Sequence, residues 1–578
     1  MTAEPLTSEN SGRTPGEMKT SGKDLTLILI LTALSALLLL HGLGDRSLWG
    51  SEGRWAEAAR EMLAASDYLT PRINGAPYRD KPFLSYDMIL FFTPFTGGRV
   101  TELSARLPSA VSAMAALLLL YGMGKRLYDR ETGFLSSLIL GTSFYFIYWG
   151  RTASADLINM TGVLLSLWIF VRFEPAPSRG WLYPFYLSMA VNSLTKGLLG
   201  FALPMAVLLP YAWIRKQWGW LWNRHTIPAG LFSALIYLIP FFLDFTRSGS
   251  TDSLYLVFKE NVLRFFDPFD HKQPVYYYFY EIFAIFAPWA LFLPGALIHH
   301  LRKPTCLCNG RQGPMDGSTG FVILYFCSLF LFFTLSGSRR SYYLLPLFPA
   351  ASLIIGRSWS DLMREPLRGW RSWVQVLIPA GLMTLIMGSA AILVFLQPSL
   401  LKPYEALNLS RHAWAAAITA LGLILSILLY AGSKVRHSFD SELRTVKLFV
   451  AVLLTVVFCM DLYLFFVVLP AAESFRGLRG LCSSVNRMHI PQDRLAVLHQ
   501  GREGNLFFYL DQIPVRRIDD PEEAGRFLQD SENYLLIEEK HRKEISGISP
   551  DQILLQENPS PFKQNDSERF SLIQGRSG

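Results

Sequence analysis

The sequence predicts an all-α polytopic membrane protein with a small α/β domain at its C-terminal end. Three observations predict this. Long apolar runs recur between residues 25 and 470. The short loops between them are basic on every second turn, the charge asymmetry of a chain threaded through a bilayer. Beyond Pro470 the apolar runs give way to short strand-like and helix-like segments. A chain of 578 residues that is 51% hydrophobic and 17% charged is too apolar for a soluble multidomain protein.

The first 24 residues are rich in Ser, Thr, Gly and Glu and predict a disordered tail. Leu25–Leu43 is long enough to span. No small-residue cleavage site follows it, so it reads as a retained helix rather than a cleaved signal. The other runs read as spans are 104–122, 134–150, 156–172, 181–195, 197–214, 226–243, 279–301, 320–336, 342–358, 374–396, 411–432 and 447–470, about thirteen helices in all. The run 181–195 is short, and with 197–214 it reads equally as a hairpin that does not fully cross. Residues 82–97 are apolar but broken by Pro82, Asp87, Pro94 and Gly97–Gly98, which suits a helix lying at the interface.

With the N-terminus inside, every short inside loop is basic: Lys125, Arg126 and Arg130; Arg172 and Arg179; Arg215, Lys216 and Arg224; Arg302, Lys303 and Arg311; Arg357, Arg364, Arg368 and Arg371; Lys434, Arg436, Arg444 and Lys447. Residues 25–470 then form a transmembrane core with a first outer loop at 45–103, and residues 471–578 form an outer domain. In that domain 494–500, 515–518 and 534–539 read as strands, with 504–510 and 521–528 as helices between them. The tail from about residue 558 reads as loose.

Composition narrows the function. The net charge of +8 includes no run of five or more basic residues, which argues against nucleic acid as a partner. Five scattered cysteines make neither a disulfide framework nor a zinc ribbon. The densest ionic stretch is Trp49–Met62, with Glu52, Arg54, Glu57, Arg60 and Glu61. Glu57, Arg60 and Glu61 share a helical face. This stretch reads as the first wall of a polar site at the outer membrane face. Asp80, Lys81, Arg151, Asp156, Lys196, Arg264, Asp267, His271, Arg339, Arg340 and Tyr343 fall at the same face. Acids and bases gathered there are costly unless paired or used.

At these residues the chain resembles a known family, the polytopic glycosyltransferases that take a sugar from a polyprenyl-phosphate carrier. Among them are the bacterial aminoarabinose transferases that modify lipid A and their relatives, the protein O-mannosyltransferases. The resemblance rests on Trp49–Met62, Pro71-Arg-Ile-Asn-Gly75 with Asp80-Lys-Pro82, Ala105-Arg-Leu-Pro-Ser109, Arg151–Asp156, Leu194-Thr-Lys-Gly197, Asn261–Phe265 with Gln273-Pro274, and Tyr343-Leu-Leu-Pro346. It implies a GT-C-like fold in a bacterial inner membrane, with interfacial helices in the first outer loop and a periplasmic C-terminal domain. One departure stands out. The family's opening Asp-Glu-x-Arg reads Ser51-Glu52-Gly53-Arg54 here, so Ser51 stands where the family carries an Asp.

Sugar transfer from a lipid phosphate needs a carboxylate to take the acceptor's proton, tolerance of an oxocarbenium-like transition state, and positive charge for the departing phosphate. Glu52 is the first candidate, as the base or a metal-binding carboxylate, its alternative being a helix-N-terminal acid paired with Arg54. Asp156 is the second, its alternative an N-cap. Asp80 assists a base or a metal, or pairs with Arg79 or Lys81. Lys81, Lys196 and Arg264 are the phosphate candidates, with Tyr343 hydrogen-bonding the phosphate and Arg54 orienting the carboxylates. For Lys196 the alternative is snorkelling, and for Tyr343 an interfacial belt. Asp267, Asp270 and His271 leave a divalent metal ion open, with no other cofactor expected.

The partners expected are a polyprenyl-phosphate-linked sugar, an envelope glycolipid acceptor and membrane lipids. A transferase acting on proteins or polysaccharides with the same donor is an alternative. So is a carrier-lipid binding or transport protein without transferase activity, although transporter sites lie nearer mid-membrane.

Overall fold

A bilayer core offers backbone N–H and C=O groups no partner outside the chain, so apolar runs fold as helices. The computed structural model describes residues 22–79, 81–174, 178–263, 266, 272–302, 318–365, 373–396, 417–425, 427–428, 439–471, 473, 477–498, 504–545, 548–557 and 569–576. Helices follow in the order α1 (Gly22–Leu40), α2 (Glu52–Ala65), α3 (Leu84–Phe91), α4 (Glu102–Leu127), α5 (Arg130–Gly141), α6 (Phe144–Gly150), α7 (Ala155–Phe173), α8 (Leu182–Lys196), α9 (Leu199–Arg215), α10 (Thr226–Ser248) and α11 (Asp252–Phe258). Later helices include Leu293–Arg302, Ser318–Leu335, Phe348–Arg364 and Phe439–Tyr463. A two-residue hairpin, β1 (Arg72–Ile73) with β2 (Ala76–Pro77), follows α2.

The thirteen-span expectation is too fine for what is seen. Among the described residues six helices are long and apolar enough to cross a membrane: α1, α4, α7, α10, Ser318–Leu335 and Leu443–Ala471. A seventh would be the pair Tyr277–Ile285 and Trp289–Leu301, bent by 119°. The run 134–150 is two helices, α5 and α6, because Thr142 and Ser143 interrupt it. α8 has 15 residues and α9 has 17, short of the ~20 a span needs. They reverse on each other at Gly197, with φ +85°. The run 342–358 opens as a tight 3-10 turn, Ser341–Leu347, before a largely buried helix. Half of residues 411–432 lies outside the described residues, and 417–425 and 427–428 are helical. α1 also begins inside the segment read as tail, where buried Asp24 pairs with Lys125 and Arg130.

Helices pack closely where side chains vanish. A Cβ on Gly124 would lie 2.6 Å from the Gly133 Cα, and one on Gly356 would collide with the Ser136 hydroxyl. α4, α5 and the Phe348–Arg364 helix therefore approach almost backbone to backbone, as small residues allow in membranes. After α2 comes the short α3, whose last residue Phe91 and the nearby Phe95 present exposed rings on either side of Pro94.

The C-terminal region is built on a five-stranded sheet in the order β4-β3-β5-β7-β6. β3 (Leu495–Leu498) pairs parallel with β4 (Arg516–Ile518) and with β5 (Tyr534–Glu538). β7 (Phe570–Gln574) runs antiparallel between β5 and β6 (Ile553–Gln556). β7 corrects the expectation of a loose tail. Its Phe570, Leu572 and Ile573 are buried in the sheet, a short apolar run hidden by polar flanks.

This region docks on α2. A Cβ on Gly53 would collide with the Asn505 backbone, and one on Gly504 would lie 2.9 Å from the Arg54 N, so glycine is required on both sides. Arg60 donates to the carbonyls of Phe507, Phe508 and Leu510, closing the end of helix Gly504–Tyr509. Asn74 exchanges two hydrogen bonds with the Val515 backbone, at 2.9 and 2.7 Å. The ionic stretch of α2 is therefore only partly a site wall. Glu57 and Arg60 pair at 2.8 Å and Glu61 holds the Asn74 and Gly75 amides, serving the interface.

Candidate active site

A cavity of about 280 Å³ opens among α2, Arg79 with Lys81–Phe83, the start of α7, the α8–α9 reversal, the chain after α11 and the turn 336–343. Its wall includes Ser51, Arg54, Arg79, Lys81, Asp156, Lys196, Glu260, Arg340, Tyr342 and Tyr343.

Each of these side chains has a local reason to be there. Ser154 caps α7, its hydroxyl accepting from the Asp156 N–H at 3.0 Å and donating to Asp156 Oδ2 at 2.5 Å. The cap is thus Ser154, and Asp156 does not serve that role. Its other oxygen, Oδ1, pairs with Lys196 Nζ. Lys196 is the last residue of α8, held in place by the tight reversal. A Cβ on Gly200 would collide with the Ser193 backbone, so the two helices meet without a side chain between them. The Lys196 ammonium also lies 5.6 and 5.2 Å from the ring centroids of Tyr342 and Tyr343, within cation–π range. Both tyrosines sit in the 3-10 turn Ser341–Leu347.

Arg79 and the start of α3, on either side of Lys81, are each pinned. Arg79 pairs with buried Asp244 near the end of α10 at 3.2 Å, and Ser85 donates to the Thr195 carbonyl at 2.8 Å. That places Lys81 in the cavity, 3.2 Å from Glu260. Arg54 reaches the Tyr78 hydroxyl at 3.1 Å, and Arg340 reaches that of Tyr342 at 2.6 Å.

Five expected site residues meet here: Asp156, Lys196, Lys81, Tyr343 and Arg54. Glu52, also expected here, does not line the cavity. Its carboxylate is buried behind the cavity wall and fully occupied. Arg106 Nε and Nη2 each donate at 2.8 Å, and the Ala153 and Trp49 amides donate at 2.9 and 3.0 Å. Burial alone would raise the Glu52 pKa. Arg106, the Ala153 amide and Arg46 outweigh it and hold the group below its ordinary value. Arg106 in turn donates to the Leu43, Arg46 and Ser47 carbonyls. The pair is a structural pin joining α2, α4 and the start of α7. Arg54, the partner expected for Glu52, instead reaches toward the cavity.

Asp80 and Arg264, and with them Asp267, Asp270 and His271, lie outside the described residues. Arg339 caps backbone carbonyls of Gln273 and Thr334 rather than facing the cavity. Glu260, Arg340 and Tyr342 join the wall without a role that the sequence alone assigns. Arg106 carries the one legible signal among the residues sequence reasoning misses, a charge inside an apolar run that demands a partner.

The chain is similar to several known proteins. Residues 80–259 match the family model described as dolichyl-phosphate-mannose-protein mannosyltransferase. An undecaprenyl phosphate-alpha-4-amino-4-deoxy-L-arabinose arabinosyl transferase of Pseudomonas fluorescens is 26% identical over 417 residues, 70% of this chain and 71% of that protein. One from Sodalis glossinidius is 30% identical over 335 residues, 57% of this chain and 58% of its own length. The crystal structure of ArnT from Cupriavidus metallidurans bound to undecaprenyl phosphate superposes with a TM-score of 0.70 at 20% identity, covering 95% of this chain and 98% of that one. Sequence and fold together make this chain a membrane glycosyltransferase of the GT-C fold that resembles the bacterial aminoarabinose transferases.

Proposed function

We propose that the protein moves a sugar from an undecaprenyl-phosphate-type carrier lipid to a cell-envelope glycolipid such as lipid A. On this reading the work is done at the periplasmic face of the inner membrane, with the N-terminus in the cytoplasm and the C-terminal domain outside. The observation that carries the reading is the cavity. It sets two lysines, three arginines and two carboxylates from separate elements around one space.

The donor's phosphate is a dense anion, and Lys81, Lys196 and Arg54 are its counter-charges, with Tyr343 as a hydrogen-bond donor. Arg264 is proposed to join them. Both lysines start out paired, Lys196 with Asp156 and Lys81 with Glu260. Arrival of the phosphate gives each ammonium a second anion and loosens its hold on the carboxylate. Asp156 is then available to the acceptor hydroxyl. The acceptor oxygen attacks the anomeric carbon, Asp156 takes its proton, and the carbon–oxygen bond to phosphate breaks. The electron pair leaves on the lipid phosphate, whose charge the lysines stabilise. One displacement inverts the anomeric carbon. In this scheme Ser51 sits in the cavity wall without a carboxylate, so the acid–base work falls to Asp156, with Asp80 a proposed assistant.

The test is release of free polyprenyl phosphate by purified protein given a panel of polyprenyl-phosphate sugars and envelope lipid extract. Release by wild type and its loss in Asp156→Asn supports the reading. Tight donor binding without release from any donor overturns it in favour of a carrier-lipid binding protein.

A further inference from the structure

We propose that the protein holds a divalent transition-metal cation of the zinc class at the end of its helical bundle away from the cavity, ligated by His299, His300 and Asp361. These residues offer donor atoms that all lie within 4.8 Å of one another, and among the described residues no other His, Cys, Asp and Glu group does so. Asp361 lies thirteen residues beyond Phe348, which follows the cavity's tyrosine turn, so the helix carries it about 20 Å from that end. The site is thus separate from the transfer chemistry.

Three features fit a metal better than a chance cluster. The first is spacing. His299 Nε2 and Asp361 Oδ2 stand 3.2 Å apart. Two ligands on a tetrahedral ion with bonds of about 2.0–2.1 Å are separated by about 3.3–3.4 Å. This pair already has nearly the edge length of the coordination tetrahedron. The second is support around the ligands. Ligating histidines hand their other ring nitrogen to a carbonyl, and ligating carboxylates are themselves hydrogen-bonded. His300 Nε2 lies 3.0 Å from the Ile354 carbonyl, and Asp361 Oδ1 pairs with Arg357 at 2.9 Å. The third is burial. His299 and His300 are 9% and 2% exposed, with ring centroids 5.1 Å apart, so two imidazoles are kept from water beside a carboxylate. Imidazole with carboxylate suits zinc-class ions, and three protein ligands leave a fourth position for water. The ion would clamp helix Leu293–Arg302 to helix Phe348–Arg364.

The test uses the full-length protein in detergent, without a polyhistidine tag, stripped with chelator and titrated with Zn²⁺ and, separately, Co²⁺. Bound metal is counted by mass spectrometry, and the Co²⁺ form is read by its visible spectrum. The expected result is one ion per chain, a tetrahedral Co²⁺ spectrum, and affinity at least 10-fold weaker in His299→Ala and His300→Ala. No stoichiometric binding by wild type, an octahedral spectrum, or unchanged affinity in both variants overturns the proposal. Should a variant fail to fold, the wild-type stoichiometry and spectrum still decide.

Discussion

Glu52 and Asp156 are both carboxylates at the start of helices near one cavity, yet the structure assigns them opposite sensitivities. Replacing Glu52 by Gln keeps the shape but turns one oxygen into an NH₂ group. Four donors point at this carboxylate: two Arg106 nitrogens and the Trp49 and Ala153 amides. The substituted amide can accept at one atom only, so two of those donors meet another donor. Arg106, 0% exposed, also loses its counter-charge. Removing one partner of a buried pair costs about 3–5 kcal/mol. Arg106 keeps its three carbonyl contacts, which argues for the lower end of that range. Asp156→Asn removes the proposed base and the counter-charge of Lys196, but it keeps the Ser154 cap, and Lys196 lines an open cavity against two tyrosine rings, so less stability is at stake than at Glu52. The assay pairs thermal unfolding in detergent with polyprenyl-phosphate release per folded molecule. Glu52→Gln is expected to unfold at a clearly lower temperature while its folded fraction turns over within about tenfold of wild type. Asp156→Asn is expected to unfold at a temperature closer to wild type than Glu52→Gln does and to lose about 10²–10⁴ in turnover. A Glu52→Gln protein of normal stability with turnover abolished would return the base to Glu52 and refute this assignment.

Other outcomes follow from the same geometry. Lys81→Met with Lys196→Met removes two phosphate counter-charges, and donor binding measured by competition is expected to weaken by at least 100-fold; intact turnover would refute the phosphate role. Glu260→Gln removes the carboxylate charge paired with Lys81, so the product lipid phosphate is expected to bind more tightly and leave more slowly, whereas weaker binding would contradict the pairing. Glu57 is fully buried, and burial, opposed by Arg60 and helped by Glu61, raises its pKa from 4.5 to about 8. Between those values the native state holds a proton that the unfolded chain has released, so stability falls as pH rises through the window. Denaturation of Glu57→Gln across pH 5–9 is expected to show a flatter profile than wild type; parallel profiles would refute it.

What can be read from sequence follows a physical line. Lys81, Lys196, Asp156 and Tyr343 are polar residues at the ends of apolar runs, where a bilayer makes an unused charge expensive. Local reading finds such positions, and the structure gathers these four with Arg54 in one cavity. Glu52 escapes local reading because its role depends on Arg106, fifty-four residues away in another helix, and no local pattern links them. Glu260 looks like ordinary loop composition and acquires meaning only through its distance to Lys81. Among the described residues fewer helices than the expected thirteen are long and apolar enough to span, for a related reason. A hydropathy run does not reveal a break at Thr142–Ser143, or that Phe348–Arg364 is buried in protein rather than facing lipid.

The ionic stretch of α2 shows how the two kinds of demand share one helix. At 3.6 residues per turn, Ser51, Arg54 and Trp55 face the cavity while Gly53, Glu57 and Arg60 meet the C-terminal region. Glu52 lies between these faces and is pinned to α4. The helix that carries a cavity cation is therefore positioned from both sides, by Arg106 beneath it and by helix Gly504–Tyr509 above. Gly53 is where this can be tested without touching a charge. A methyl group there would collide with the Asn505 backbone, which only a shift of the docked region relieves. Gly53→Ala improves local helix propensity by about 1 kcal/mol, so an effect on the isolated helix would be stabilising. The expected result is the opposite: lower thermal stability, faster proteolysis between the core and residues 477–576, and reduced donor affinity as Arg54 moves. A Gly53→Ala protein with unchanged stability and unchanged donor affinity would show that the docked region does not position the cavity.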